Sequence, residues 1–394
     1  SFFKYDSNGR LILAANPSAV SGYDETKPDL LNNQAGNYQY LRDADGLIEV
    51  TTFYTSTTAT STIAGGVAGF RQKTELQRGE TGTAIKQDQV DYFTRSAFGG
   101  TFAITANATV YRNTDGTGAE TTSFAYTWVG STASVESVTV TLPVVSTAQN
   151  GPGSADSNTT FFDAFGRATW NKDGEGFIHY AAYDMATSAV IKTIVDVNTA
   201  NTADFTNKPA GWTTPTGGGL HLITQFEVDI LGRATKVTTP AGNIDYVVYK
   251  DTNHEVRVYP GWDTGTNTTT GPTQLVREDR AGGYYETLTM SATPTISGGR
   301  PTGGESISSV ETVSRNNTNN AWQVTSTDAY FNLSGLTYTS STAYGSQDVN
   351  FYRTRFNYDS RGRRYKTTTP TGTIYQTDFD DLSRPADDKV GTSD

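Results

Sequence analysis

The sequence predicts an all-β chain of consecutive antiparallel β-hairpins, and three observations carry that prediction. First, a hexapeptide of aromatic or apolar residue, Asp, two free positions, Gly and Arg recurs as YDSNGR at 5–10, FDAFGR at 162–167, VDILGR at 228–233 and YDSRGR at 358–363. Second, a fixed step follows it: Asp163 to Asp184, Asp229 to Lys250 and Asp359 to Asp380 are each 21 residues apart. Third, the residues between these marks alternate in Thr-, Val- and Tyr-rich runs, which is the period of a strand and not of a helix.

Each period reads as one hairpin plus the turn to the next. In RATKVTTPAGNIDYVVYK at 233–250, a Thr-rich run enters a turn at 240–243 and leaves as a Tyr/Val-rich run. The 363–380 copy places Pro370 and Gly372 at the same points, and the 167–184 copy keeps Asp173 and Gly174 near them. Within the hexapeptide, Gly9, Gly166, Gly232 and Gly362 are expected to supply a positive φ that a side chain resists. Asp6, Asp163, Asp229 and Asp359 can close an Asx-turn onto the N–H two residues on. Arg10, Arg167, Arg233 and Arg363 then open the next strand, placed to pair with an Asp or to stack on an aromatic ring of the adjacent hairpin. With Tyr5, Phe162 and Tyr358 ahead of them, these residues form a structural motif and not a catalytic one.

Longer hairpins are inserted at about 51–150 and 260–350 in an otherwise continuous array over 1–394. Phe102, Ile104, Ala106, Ala108 and Val110 alternate with mostly polar residues, the turn falls at 113–116, and Phe124, Tyr126 and Trp128 return on one face. Stretches rich in Gly, Pro, Ser and Thr at 146–160, 207–219 and 294–305 read as long loops, and no amphipathic helix is expected.

Composition narrows function. Charged residues are only 18%, and the net charge is −11 with no basic run, so the counterion release that drives nucleic-acid binding is missing. No apolar run is long enough for a membrane helix, and residues 1–30 lack the pattern of a signal peptide. With no Cys, disulfides, thiolate metal sites and a Cys nucleophile are excluded. The surface rich in Thr, Ser, Asn and Gly suits an extracellular or cell-surface protein.

No catalytic, cofactor or metal site is predicted. His179, His221 and His254 show no metal-ligand spacing, and GxSxG, GxxxxGKT and GxGxxG are all missing. Residues 171–178 match the first half of a calcium loop, but Ala182 stands where a bidentate Glu is needed, and a hairpin turn explains the same residues. Asp43 and Asp45 before Gly46 receive the same reading. Five Asn-x-Ser/Thr sites, at Asn107, Asn158, Asn267, Asn316 and Asn332, are expected by chance in a chain this rich in Asn and Thr. The five tryptophans, Trp128, Trp170, Trp212, Trp262 and Trp322, are candidates for platforms that bind glycans or a partner, although a ring alternating inside a strand, as Trp128 does, favours the core. Trp212 and Trp262 lie beside Gly and Pro, where exposed rings could stack on sugars.

The hexapeptide, the step of 21 and the Pro-x-Gly turn before Tyr-x-Tyr-Asp variants together resemble the RHS or YD-repeat family. Degenerate copies at 331–335 and 42–46 extend the resemblance along the chain. Stretches such as NHEVRVYPGWD, TGPTQLVREDR and the closing VGTSD look like the giant RHS-type secreted proteins of planctomycete-like bacteria. The resemblance implies that the hairpins join into one long sheet winding into a shell or tube, a non-catalytic structural role, and further repeats or end-to-end copies as partners. Two alternatives stand beside this: a surface whose exposed aromatic rings bind glycans or a partner, and, as the resemblance implies, the shell of a polymorphic toxin. Toxin members carry a self-cleaving DPxGL signature, which RPADDKVG at 384–391 does not match.

Overall fold

The computed structural model describes residues 1–22, 40–341 and 344–392, together with the backbone of 33–34 and 37–38. The chain is all-β, and 24 of its strands share one hydrogen-bonded antiparallel sheet. Among the described residues helix is confined to 3-10 turns such as Pro17–Ala19, Thr147–Gln149 and Asp251–Asn253. Two compact units are distinguished, 1–181 with 195–221, and 182–194 with 222–394.

In the first unit, strands pair in chain order. Phe2–Tyr5 pairs with Leu11–Ala15, then come Leu47–Phe53, Arg71–Arg78, Ile85–Ala97 and Gly100–Tyr111. Ala119–Trp128, Val135–Thr141, Ser157–Phe162, Ala168–Lys172 and Ile178–Tyr183 continue the series. The second unit repeats the scheme from Leu222–Val228 through Ala234–Thr238, Ile244–Lys250, Glu255–Tyr259, Thr273–Asp279 and Tyr284–Met290. It goes on through Val310–Thr318, Val324–Tyr330, Phe351–Tyr358, Arg364–Thr368 and Ile374–Phe379 to Pro385–Gly391.

One turn recurs among these hairpins. In each hexapeptide the Asp N–H donates to the Arg carbonyl and the Gly N–H donates to the Asp carbonyl, as in Asp229 to Arg233 at 2.9 Å and Gly232 to Asp229 at 2.9 Å. The pairing slips by one residue just before it, between Glu227 and Val228 or Asn357 and Tyr358. This is a type I turn followed by a left-handed residue in a bulge, and it needs φ near 79° at Gly232. The Pro-x-Gly turns repeat the geometry with Thr at the first position: Thr239 N–H to Asn243 and Gly242 N–H to Thr239, and likewise Thr369 to Thr373. The two sequence signatures therefore encode one turn.

Because neighbours in the sheet are neighbours in sequence, connections alternate between its two edges. In the second unit one edge carries only short turns, at 229–233, 251–254, 280–283, 319–323, 359–363 and 380–384. The other edge carries three long segments in succession, at 260–272, 291–309 and 331–350, flanked by short turns at 239–243 and 369–373. Those segments cover one face of the sheet. Strands Thr273–Asp279 and Tyr284–Met290 accordingly alternate buried and exposed residues along most of their length, and Leu275, Leu288, Met290, Val313 and Tyr344 form a core cluster. In the first unit the segment 196–221 covers a face in the same way, packing Trp212 and Phe205 on Phe161, Trp170 and Tyr180.

Three expectations are corrected. Trp212 and Trp262 are 8% and 4% exposed, because their loops fold back onto the sheet and press the rings into aromatic clusters. The loop expected over 146–160 ends at 156, since Ser157–Phe162 finds partners on both sides in Val135–Thr141 and Ala168–Lys172. The copies at 331–335 and 42–46 do not form the turn: Asn332 N–H donates to Asn350, and Gly46 sits against the backbone of Ala19, where a Cβ would clash at 2.2 Å.

Candidate functional site

The repeat residues are built into a clamp. Oδ1 of Asp6, Asp163, Asp229 and Asp359 accepts the N–H groups two and four residues on, at 2.8 to 3.0 Å. Oδ2 accepts Nε of Arg10, Arg167, Arg233 or Arg363 at 2.7 Å. One carboxylate thus satisfies two turn amides and fixes a guanidinium. The side-chain bond from Arg10 lowers the Asp6 carboxyl, and the backbone bond from Arg363 lowers Asp359. At Asp163 and Asp229 burial pushes upward, but the hydrogen bonds from Arg167 and Arg233 outweigh it.

The guanidinium then lies over a ring: Arg10 on Phe53 at 4.4 Å, Arg233 on Tyr249 at 4.1 Å and Arg363 on Phe379 at 4.5 Å. Arg167 covers Phe165 of its own turn at 4.9 Å. Tyr5 is exposed, Phe162 half-buried, and the Tyr358 hydroxyl donates to the Val324 carbonyl at 2.8 Å. Asp380 and Arg384 make a fifth clamp, with Ser383 at φ 65° where the others have Gly. Asn319 and Gln323 make a related turn with Trp322 at φ 61°.

A second constellation gave no motif in the sequence. Across seven consecutive strands of the second unit, directly opposed residues alternate in charge: Lys250, Glu255, Arg277, Glu286, Arg315, Asp328 and Arg353. Arg315, Glu286 and Asp328 are essentially fully buried. Arg315 donates to Glu286 at 2.8 Å, and Arg277 lies 2.9 Å from the same carboxylate. Arg353 reaches Asp328 at 2.5 Å and Lys250 reaches Glu255 at 3.4 Å. In the adjacent row Arg257 joins Glu255 at 2.6 Å to Glu305 at 2.7 Å. The covering segments bond to these charges: Gly303 carbonyl to Lys250, Thr339 and Ser341 carbonyls to Arg315, and the Tyr338 hydroxyl to Glu286. Burial raises the Tyr338 and Tyr259 hydroxyls well above the usual range, and the acceptor carboxylates Glu286 and Glu305 raise them further. Only strand register could have revealed this row, because its members lie 5 to 29 residues apart.

The remaining candidates are dispersed. His221 accepts the Asn198 N–H at Nδ1 and lies 3.2 Å from Asp204 at Nε2, His179 is 3.5 Å from Asp173, and His254 occupies a turn. Asp173 Oδ1 accepts the N–H groups of Glu175 and Phe177, the clamp pattern. Among the described residues no three His, Asp or Glu side chains gather as a metal site would require. Asn158 and Asn316 are tied to Asn171 and Thr327 within the sheet.

No protein-family model and no curated protein matches the chain. Among solved structures, the chain is similar to a component of the Photorhabdus luminescens Tc holotoxin pore, with TM-score 0.51, 13% identity, and 96% of this chain against 15% of that one. It also matches TcdB2-TccC3 with TM-score 0.35 and 13% identity, over 95% of this chain and 22% of that chain. The first likeness establishes the fold; this chain spans less than a quarter of either neighbour.

Proposed function

We propose that the chain is a non-catalytic wall segment of a secreted RHS/YD-repeat protein, its hairpins forming part of a shell, tube or fibre. The observation that carries this reading is the clamp, which recurs at five hairpin turns of the antiparallel meander and spends the repeat's charged residues on structure. The likeness to the holotoxin component, over 96% of this chain, supports the same architecture. A shell that encloses a toxin is the finer version of this reading, and it draws on the identity of that neighbour. Partners on this reading are further hairpins of the same parent or end-to-end copies. Electron microscopy of the native assembly tests the proposal, with capsules, tubes or fibres containing this chain as the expected result. A free 42 kDa monomer at the natural source, or turnover on a glycan and peptide panel abolished by one carboxylate or His substitution, overturns it.

A further inference from the structure

We infer that the alternating charge row is an acid-sensitive latch that holds segments 291–309 and 331–341 over the sheet, and that neutralising its carboxylates frees those segments while the sheet stays paired. The inference stands on the side-chain geometry and is independent of the wall reading.

The row and its neighbours mix two kinds of charge. In the row Lys250, Arg277, Arg315 and Arg353 face Glu255, Glu286 and Asp328, and beside it Arg257 faces Glu305. Arginines stay cationic at any pH a protein meets, whereas carboxylates are neutralised by acid. Tyr344, on the covering segment, lies within electrostatic reach of Glu286, and Tyr330 within reach of Asp328. Glu286 meets Arg277 and Arg315 from the flanking strands and Tyr338 from above, with Tyr284 two residues along its own strand. Glu305, on segment 291–309, meets Arg257 and Tyr259 below it and accepts the Thr295 N–H. Glu255 faces Lys250, Arg257 and Arg277, and Asp328 faces Arg315, Arg353 and Asn317.

At neutral pH the seven-member row carries four cations and three anions. Protonating the anions leaves the arginines buried without counter-charges, which costs more than either a solvated or a paired cation. The cheapest relief is to admit water by lifting the segments, because their attachments are to the same ions. The strands keep their backbone ladders. At Glu305 burial pushes the carboxyl up, but bonds from Thr295, Tyr259 and Arg257 bring it below its usual range. A carboxyl lowered in the closed state contributes stability above its free value, and that contribution is lost as pH falls through the lowered value. Lifting the segments uncovers Leu275, Leu288, Met290 and Val313, so the open form presents an apolar face.

Hydrogen exchange on the full chain at pH 7 tests the latch without involving other acids. Glu305→Gln should speed exchange in 291–309 about tenfold or more, as expected for loss of a charged hydrogen bond, and leave 331–341 protected. Glu286→Gln should do the reverse. In wild type, acidification should open both segments before the strands Tyr284–Met290 and Val310–Thr318 lose protection. If Glu286→Gln fails to fold, Glu305→Gln alone decides. Unchanged exchange in 291–309, or loss of segments and strands together, overturns the proposal.

Discussion

The first unit closes its sheet with an aromatic cover and the second with an ionic one. Over 196–221, Trp212 meets Phe161 edge-on at 5.5 Å, Phe205 meets Trp170 at 5.2 Å, and the Trp170 Nε1 donates to the Thr206 carbonyl at 3.1 Å. Over 291–309 and 331–341, carbonyls accept from Lys250 and Arg315, the Glu305 carboxylate pairs with Arg257 and the Tyr338 phenol donates to Glu286, beside the apolar contacts of Ile307, Leu333 and Leu336. Ring packing depends on shape and area, so its strength does not change with protonation. Ion pairs in a dry site are strong only while both partners stay charged. The same task, hiding one face of a single sheet, is therefore done once unconditionally and once conditionally.

Removing a ring should give the largest effect and should be indifferent to pH. Trp170→Ala, in a fully buried position, is expected to cost about 3–5 kcal/mol in denaturant unfolding, by lost transfer energy and a cavity. The loss should be the same at pH 7 and at about pH 5. A loss below about 1 kcal/mol means the cover is loosely packed, and the contrast between the units fails.

Arg315→Met comes next. Breaking one partner of a buried pair costs about 3–5 kcal/mol, and the lower end is expected because Arg277 and Tyr338 still serve Glu286. Unlike the loss from Trp170→Ala, this loss should shrink when made in a Glu286→Gln background, since a neutral amide there needs no cation. A loss that is the same in both backgrounds would contradict the conditional character of the ionic cover.

The clamps belong to neither cover and set the scale for the turns. Gly232→Val places a β-branched side chain at φ 79°, with Thr187 3.2 Å from the added Cβ, and should cost about 1–3 kcal/mol. Ala234→Ser, two residues on, should cost much less. Equal midpoints for the two variants would remove the strained-turn reading. The clamp carboxyls add a pH signature with a defined sign. Asp6, Asp163, Asp229, Asp359 and Asp380 are all lowered in the folded chain, so their contribution is complete above the unfolded value of about 4 and fades as pH falls below it. Stability measured between pH 5 and 7 should be flat with respect to these groups, and Asp229→Asn should flatten part of the decline below about pH 4.

How much of this was legible depended on sequence distance. The hexapeptide is a local object: Asp, Gly and Arg lie within five residues, so turn, bulge and strand start follow from Asx chemistry and the freedom of Gly. The antiparallel meander follows from repetition of that unit. Trp212 and Trp262 were misjudged because flanking Gly and Pro report backbone shape and not what the loop lies upon. The charge row was invisible for a related reason. Glu286 and Arg315 are 29 residues apart across a 19-residue connection, and only the register of two bulged strands makes them opposite. Insertion length, which varies freely at an edge, erases the spacing that would have announced the row.

The smallest effect concerns the one clamp that lacks its glycine. In FDDLSR the turn at 380–384 keeps every bond of the others, with Asp380 accepting Leu382 and Arg384 N–H groups and the Arg384 Nε, yet Ser383 stands at φ 65°. An L-residue in the left-handed region costs about 1–2 kcal/mol, whereas Gly gives back about 0.5–1 kcal/mol through the greater freedom of its unfolded chain. Ser383→Gly should therefore stabilise by about 0.5 kcal/mol, read as a small rise in denaturant midpoint. Trp322→Gly, at the equivalent place in 319–323, should not gain as much, because the ring lies 6.0 Å from the Arg280 guanidinium and that contact would go. If Ser383→Gly destabilises, the serine is making a favourable contact and the turn tolerates its backbone without strain. If both substitutions gain alike, the Trp322 ring contributes nothing at its edge of the sheet, and only the backbone requirement of the turn distinguishes the two sites from the four glycine clamps.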